Sequence, residues 1–160
     1  SFKARPGKTE IRIAAPTIPN VNNAIDLPAW EIPSHWVKSS SSSMRLASYE
    51  VKDASGNQLD FSVTSFAGEV GSTLANLNRW LEQIGMETVT NEELGKYVSQ
   101  ITLDENPAQL VAAESDSKAL YVAILSLEGR SWFFKISGDL PLARVEKSNF
   151  FSFLESVCFH

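Results

Sequence analysis

Polar and apolar residues alternate most regularly between positions 58 and 66, where Leu59, Phe61, Val63 and Ser65 interleave with Gln58, Asp60, Ser62 and Thr64. A period of two is that of a strand with one buried and one wet face. The run 44–51 precedes it. Between the two lies Asp53-Ala54-Ser55-Gly56-Asn57, whose Gly and Asn tolerate the positive φ that tight turns need. A hairpin is therefore predicted here. Residues 119–127 and 132–138 are denser apolar runs around the turn-like Glu128-Gly129-Arg130, and they predict a second hairpin. In Leu120-Tyr121-Val122-Ala123-Ile124-Leu125 both parities are apolar, so this strand is expected at the centre of the sheet with helices on each side. Residues 98–104 and 109–113 read as further strands.

A longer period marks the helices. After Ser72, a natural N-cap, Leu74, Leu77, Leu81 and Ile84 recur on one stripe, and Gly85 can end the helix in the left-handed conformation. Thr90-Asn91-Glu92-Glu93 announces a second, short helix, because the threonine and the glutamate three positions on can satisfy each other's backbone donors. Residues 148–157 carry Phe150, Phe153, Leu154 and Val157 on one face, with Ser148 as the expected cap. The folded part is expected to begin at 29–36, where Trp30 and Trp36 flank a turn at Pro33, a strand entering the core and bending sharply. Hairpins mixed with helices favour an α+β fold over strict βαβ alternation, with a mainly antiparallel β-sheet sandwiched between helices in an α/β/α arrangement.

Residues 1–28 hold Pro6, Pro16, Pro19 and Pro28 and an Asn-rich patch at Asn20, Asn22 and Asn23. Proline removes backbone donors and fixes φ, so this stretch is expected to be an extended or disordered tether, with 11–15 a possible short edge strand. Residues 29–160 then form a single domain, and the serine run 39–43 is a solvated loop. A chain of 160 residues, 43% of them hydrophobic, with nine Phe and four Trp, is able to bury a substantial core. Its net charge of −5 and lack of a long basic cluster argue against nucleic acid as a partner. Lys3, Arg5, Lys8 and Arg12 make the first dozen residues locally basic, which reads as a solvated tail. No apolar run is long enough to cross a bilayer, so no transmembrane segment is expected. One cysteine, Cys158, excludes an internal disulfide.

Three stretches carry a family likeness: Trp30-Glu31-Ile32-Pro33-Ser34-His35-Trp36 near the start, Trp132-Phe133-Phe134-Lys135-Ile136-Ser137-Gly138-Asp139 late on, and 150–159 at the end. In this succession the chain resembles the Mog1/PsbP-like group over roughly residues 29–37 and 119–159. The resemblance implies an antiparallel sheet between helices and a non-enzymatic scaffold, since relatives include a binder of a small GTPase, subunits docking on photosystem II and bacterial lipoproteins. No functional residue transfers by position.

Candidate chemistry is sparse. Gly68-x-x-Gly71-Ser72 before a helix has the look of a phosphate cradle, yet the Walker lysine and the G-x-G-x-x-G spacing are both missing, so loop and cap are the favoured reading. Cys158 and His160 have only His35 to complete a ligand set, so no metal or other cofactor is expected. A G-x-S-x-G elbow is lacking, and neither histidine has a carboxylate beside it in sequence, so no catalytic residue is assigned. The best binding candidate is the helix after Ser72. Asn76, Arg79 and Gln83 share a face beside the apolar stripe, flanked by Asn78 and Trp80. Arg79 offers a fork for a carboxylate and Trp80 a flat anchor for a protein or peptide partner; alternatively Trp80 completes the core and Arg79 braces the preceding loop. The expected function is a non-catalytic binding or accessory module, tethered at a bacterial cell envelope in the periplasm or on the outer face of a membrane. The competing expectations are a hydrolase-like enzyme with a loop-assembled site, and a cytoplasmic location.

Overall fold

The computed structural model describes residues 27–40, 44–68 and 71–159. The expected tether and its 11–15 strand lie, but for Leu27 and Pro28, outside the described residues. Among these, seven strands form one sheet: β1 (Val37–Lys38), β2 (Ala47–Lys52), β3 (Gln58–Ala67), β4 (Val98–Leu103), β5 (Asn106–Glu114), β6 (Lys118–Leu127) and β7 (Arg130–Asp139). Their order is β1-β2-β3-β7-β6-β5-β4, and every neighbouring pair is antiparallel. Helix α1 (Thr73–Gln83) and a 3-10 helix (Asn91–Lys96) lie between β3 and β4, and α2 (Leu140–Ser156) follows β7.

Local chemistry accounts for the hairpins. Between β2 and β3 the Asp53 carboxylate accepts from the backbone N–H of Ser55 and Asn57 and from the Asn57 amide, at 2.9–3.0 Å. Glu128 and Gly129, both at positive φ, make the two-residue turn joining β6 and β7. Asp104 and Glu105 do the same between β4 and β5 without a glycine, braced by the Asn106 amide, which donates to Leu103 and Asp104 carbonyls. What joins the hairpins into one sheet is the long pairing of β3 with β7, from Leu59 opposite Gly138 to Ala67 opposite Arg130. Gly138 is required there: a Cβ on it would lie 2.2 Å from the Gln58 carbonyl oxygen.

Two buried clusters use opposite parities of the strands. Ala119, Tyr121, Ala123 and Leu125 of β6 join Phe61, Phe134 and the α2 residues Leu142, Phe150, Phe153 and Leu154. Leu120 and Val122 join Phe133 and the α1 residues Leu77, Trp80 and Leu81. Phe61 centres the larger cluster, with ring centroids 4.9 Å from Phe153 and 5.0 Å from Trp36. The opening segment enters this core through a single bridge rather than a strand: Ala29 and Cys158 exchange backbone hydrogen bonds of 2.9 and 2.8 Å, and Trp30 and Trp36 are buried on either side of the Pro33 turn. Among the described residues, buried Trp30 Nε1 has no partner of hydrogen-bond geometry, although it lies close enough to favour the ionised form of Tyr49 against the burial that raises that group's pKa.

One helix boundary differs from expectation. The last helix starts at Leu140, not Ser148, and Ser148 sits within it. Pro141 is tolerated in the first turn, where its missing N–H is no loss. Arg144, Glu146 and Lys147 obscured the apolar stripe in sequence, because Glu146 occupies a buried position on it. Asp139 precedes the helix but does not cap it; its carboxylate accepts from Gln58 N and Lys118 Nζ instead, both at 2.8 Å.

Candidate functional site

Helix α1 begins as its sequence dictates, with Ser72 Oγ accepting from Ala75 N at 3.0 Å, and the chain turns at Gly85 with φ of 82°. Its apolar stripe is buried, which fixes where the five candidate residues point. Asn78 clamps the segment that follows: its amide donates to the Val89 carbonyl at 3.0 Å, and its oxygen accepts from Val89 N at 2.7 Å. Trp80 is buried edge-on against Phe133, centroids 6.1 Å apart. Asn76 is buried too, and its Oδ1 accepts from Arg79 Nη1 at 2.9 Å. The Arg79 guanidinium also lies over the Trp80 ring, 5.6 Å from its centroid. Gln83 Oε1 accepts from Lys135 Nζ at 2.9 Å. Gln83 thus reaches the sheet at Lys135, and exposed Arg79 lies along its own helix, while Asn78 and Trp80 are committed to packing.

Lys135 escaped the sequence reading. Its only signal was a single cation inside an otherwise apolar strand, Trp132-Phe133-Phe134-Lys135-Ile136. On the sheet it stands opposite Ser62 of β3, which stands opposite Ser48 of β2. By the two-residue period, Asp60, Ser62 and Thr64 share the sheet face of Lys135 and Phe133. Arg45 grips both oxygens of Asp60, at 3.0 and 2.8 Å, and donates to Ser48 Oγ. Lys52 and Glu50 approach to 3.6 Å on β2. Beside α1, then, the sheet carries a polar shelf instead of a second apolar patch. Burial holds the Lys135 pKa below its ordinary value; Asp60 opposes this, and Arg79 and Arg45 add to it.

Titratable groups meet in two other places. Glu146 is buried, and its Oε1 accepts from Trp36 Nε1 at 2.9 Å and Asn149 Nδ2 at 3.0 Å, while Oε2 is 2.7 Å from His35 Nε2. Burial alone would raise its pKa, but the hydrogen bonds from Trp36, Asn149 and His35 prevail and lower it. This is the carboxylate that His35 lacked in sequence. Among the described residues, His35 hydrogen-bonds no hydroxyl or thiol that could serve as a nucleophile. The second place is an open groove of about 570 Å³ lined by Ile84, Gly85, Met86, Glu114, Asp116 and Arg144, among others. There Arg144 donates twice to Glu114 Oε1, and the Tyr121 hydroxyl donates to Oε2. Burial and the Glu114 charge together push the Tyr121 pKa up, so its proton stays. Among the described residues no cluster of three His, Cys, Asp or Glu is placed to hold a metal ion, and no helix is long and apolar enough to cross a membrane.

The architecture is that of a Mog1/PsbP-like α+β domain. It matches the solution structure of cyanobacterial PsbP (CyanoP) from Synechocystis sp. PCC 6803 with a TM-score of 0.50, over 91% of this chain and 100% of that one, at 11% identity. The crystal structure of LpqN, involved in cell envelope biogenesis of Mycobacterium tuberculosis, aligns over 82% of this chain and 84% of its own at a TM-score of 0.43 and 12% identity. No family model and no curated protein matches the chain.

Proposed function

We propose that this protein is a non-catalytic binding or accessory module of the bacterial cell envelope, presenting the polar shelf beside α1 to a protein partner. The arrangement is read as an α/β/α sandwich in which the β2 and β3 positions on the α1 side of the sheet are polar: Ser48 and Ser62 are buried, and Glu50, Asp60 and Thr64 are half-buried. That polar stretch, with exposed Arg79 and Gln83 at its border, is the observation that carries the proposal. Asn76, Asn78 and Trp80 complete the site by holding the helix in place. Capture from an envelope extract tests the reading, with Arg79→Ala/Gln83→Ala against Arg144→Ala on the far groove. A partner lost only with the first variant supports the shelf; the same partners from both well-folded variants sink it.

An envelope location accords with the proline-rich lead of the sequence. Fractionation of cells making the full gene product checks it, and a wholly cytoplasmic signal overturns it. A hydrolase-like reading has one observation behind it, the contact of His35 with Glu146. It requires a hydrolytic activity that disappears in His35→Gln, and an activity that survives that change belongs elsewhere.

A further inference from the structure

Among the described residues, the charges on the shelf pair unevenly. Arg45 is matched by Asp60 and Lys52 by Glu50. Arg79 and Lys135 remain, and among the described residues each hydrogen-bonds only a neutral amide oxygen, of Asn76 and Gln83 respectively. Gln83 is four positions beyond Arg79, so the two side chains emerge from one helix face and Gln83 bridges to Lys135. Burial of the Lys135 ammonium costs hydration that the Gln83 dipole and the charge of Asp60, itself gripped by Arg45, replace only in part.

The geometry also leaves donors in hand. Arg79 spends Nη1 on Asn76 and lies over the Trp80 ring, which restrains the exposed guanidinium, and among the described residues no carboxylate takes its remaining N–H groups. A planar fork held in this way suits the two oxygens of a carboxylate, and a nearby ammonium adds a point charge. Resting on the accessory-module reading and naming its partner's chemistry, we propose that Arg79 and Lys135, bridged by Gln83, form an oxyanion subsite that seats an acidic side chain of the partner protein. On binding, Gln83 yields Lys135 to the incoming carboxylate, and the Arg45–Asp60 pair stays intact as the wall of the subsite.

Titration of the full chain with a glutamate-rich peptide tests this, following the Lys135 side chain by NMR. The peptide is expected to raise the Lys135 pKa, because an anion favours the charged form that burial disfavours. Arg79→Gln and Lys135→Met are each expected to weaken binding about tenfold, as loss of one charge-assisted hydrogen bond implies. Arg144→Gln removes the same charge elsewhere and is expected to leave affinity unchanged. Equal weakening by all three variants would reduce the effect to bulk charge and overturn the subsite, as would a Lys135 signal unmoved at saturation. Inorganic phosphate that binds at Lys135 while the peptide does not would overturn the acidic partner. Peptide bound through Arg79 and Lys135, with no envelope protein captured in the extract experiment, would uphold the subsite and sink the accessory-module reading.

Discussion

Glu146 shows at the scale of one residue how a charge can hold a core together. Its two oxygens tie Trp36 and His35 to α2, braced by Asn149 one turn on in the same helix, so removal strands the buried Trp36 indole N–H. Glu146→Ala is expected to cost about 2 kcal/mol, measured by urea unfolding, whereas Ser148→Ala should change little. The pH dependence has a definite sign. A carboxyl held below its ordinary pKa stabilises the fold fully above the unfolded value, about 4.3 for glutamate. That contribution fades as pH falls through the lowered folded value. Comparing acid unfolding of wild type and Glu146→Gln isolates it: the variant is expected to lose part of the acid sensitivity. Gly138 makes the complementary steric case. Gly138→Ala would press a methyl group against the Gln58 carbonyl and is expected to destabilise by about 2 kcal/mol or more, read as a lowered Tm. Neither Glu146 nor Lys135 was legible in the sequence, because a buried polar residue is explained only by partners far along the chain. His35 and Trp36 stand 111 and 110 positions from Glu146.

Elements fared better, since their signals are local. The strand at 58–66 and the helix after Ser72 sit within a residue or so of where periodicity and capping put them. The stretch announced by Thr90 did form with its capping box, as a 3-10 helix. Helix α2 extends eight residues upstream of its predicted start because one buried carboxylate and two flanking cations disguised its apolar face. Hydrogen exchange checks this directly: the amides of Arg144 to Lys147 are expected to be protected, and rapid exchange there would restore the later start. Within α1, Leu77 is fully buried, and Leu77→Ala is expected to cost about 3 kcal/mol. Asn78→Ala is expected instead to speed exchange at the Val89 amide selectively, since Asn78 restrains that segment rather than the core.

For the molecule as a whole, the opening and closing segments of the described chain form one seam. Ala29 pairs with Cys158, Ser156 Oγ accepts from Glu31 N at 2.7 Å, and Phe159 N donates to Asp104 at 2.7 Å. Val157 is fully buried within that seam, and Phe159 packs edge-on against Trp132. Ending the chain at Ser156 is expected to lower Tm by about 10 °C, the equivalent of about 3 kcal/mol in a chain of this size. The amino-acid order by itself determined the α+β class, the two hairpins, the helix that carries Arg79 and the aromatic segments that meet in this seam. Each rests on periodicity, capping or turn chemistry acting over a few residues. Only the tertiary structure decided that β3 lies beside β7, that Lys135 faces Gln83, and that His35 finds Glu146. Such pairings are chosen by the burial of whole faces against one another, a free energy shared among residues more than a hundred positions apart, and no local stretch of sequence encodes it.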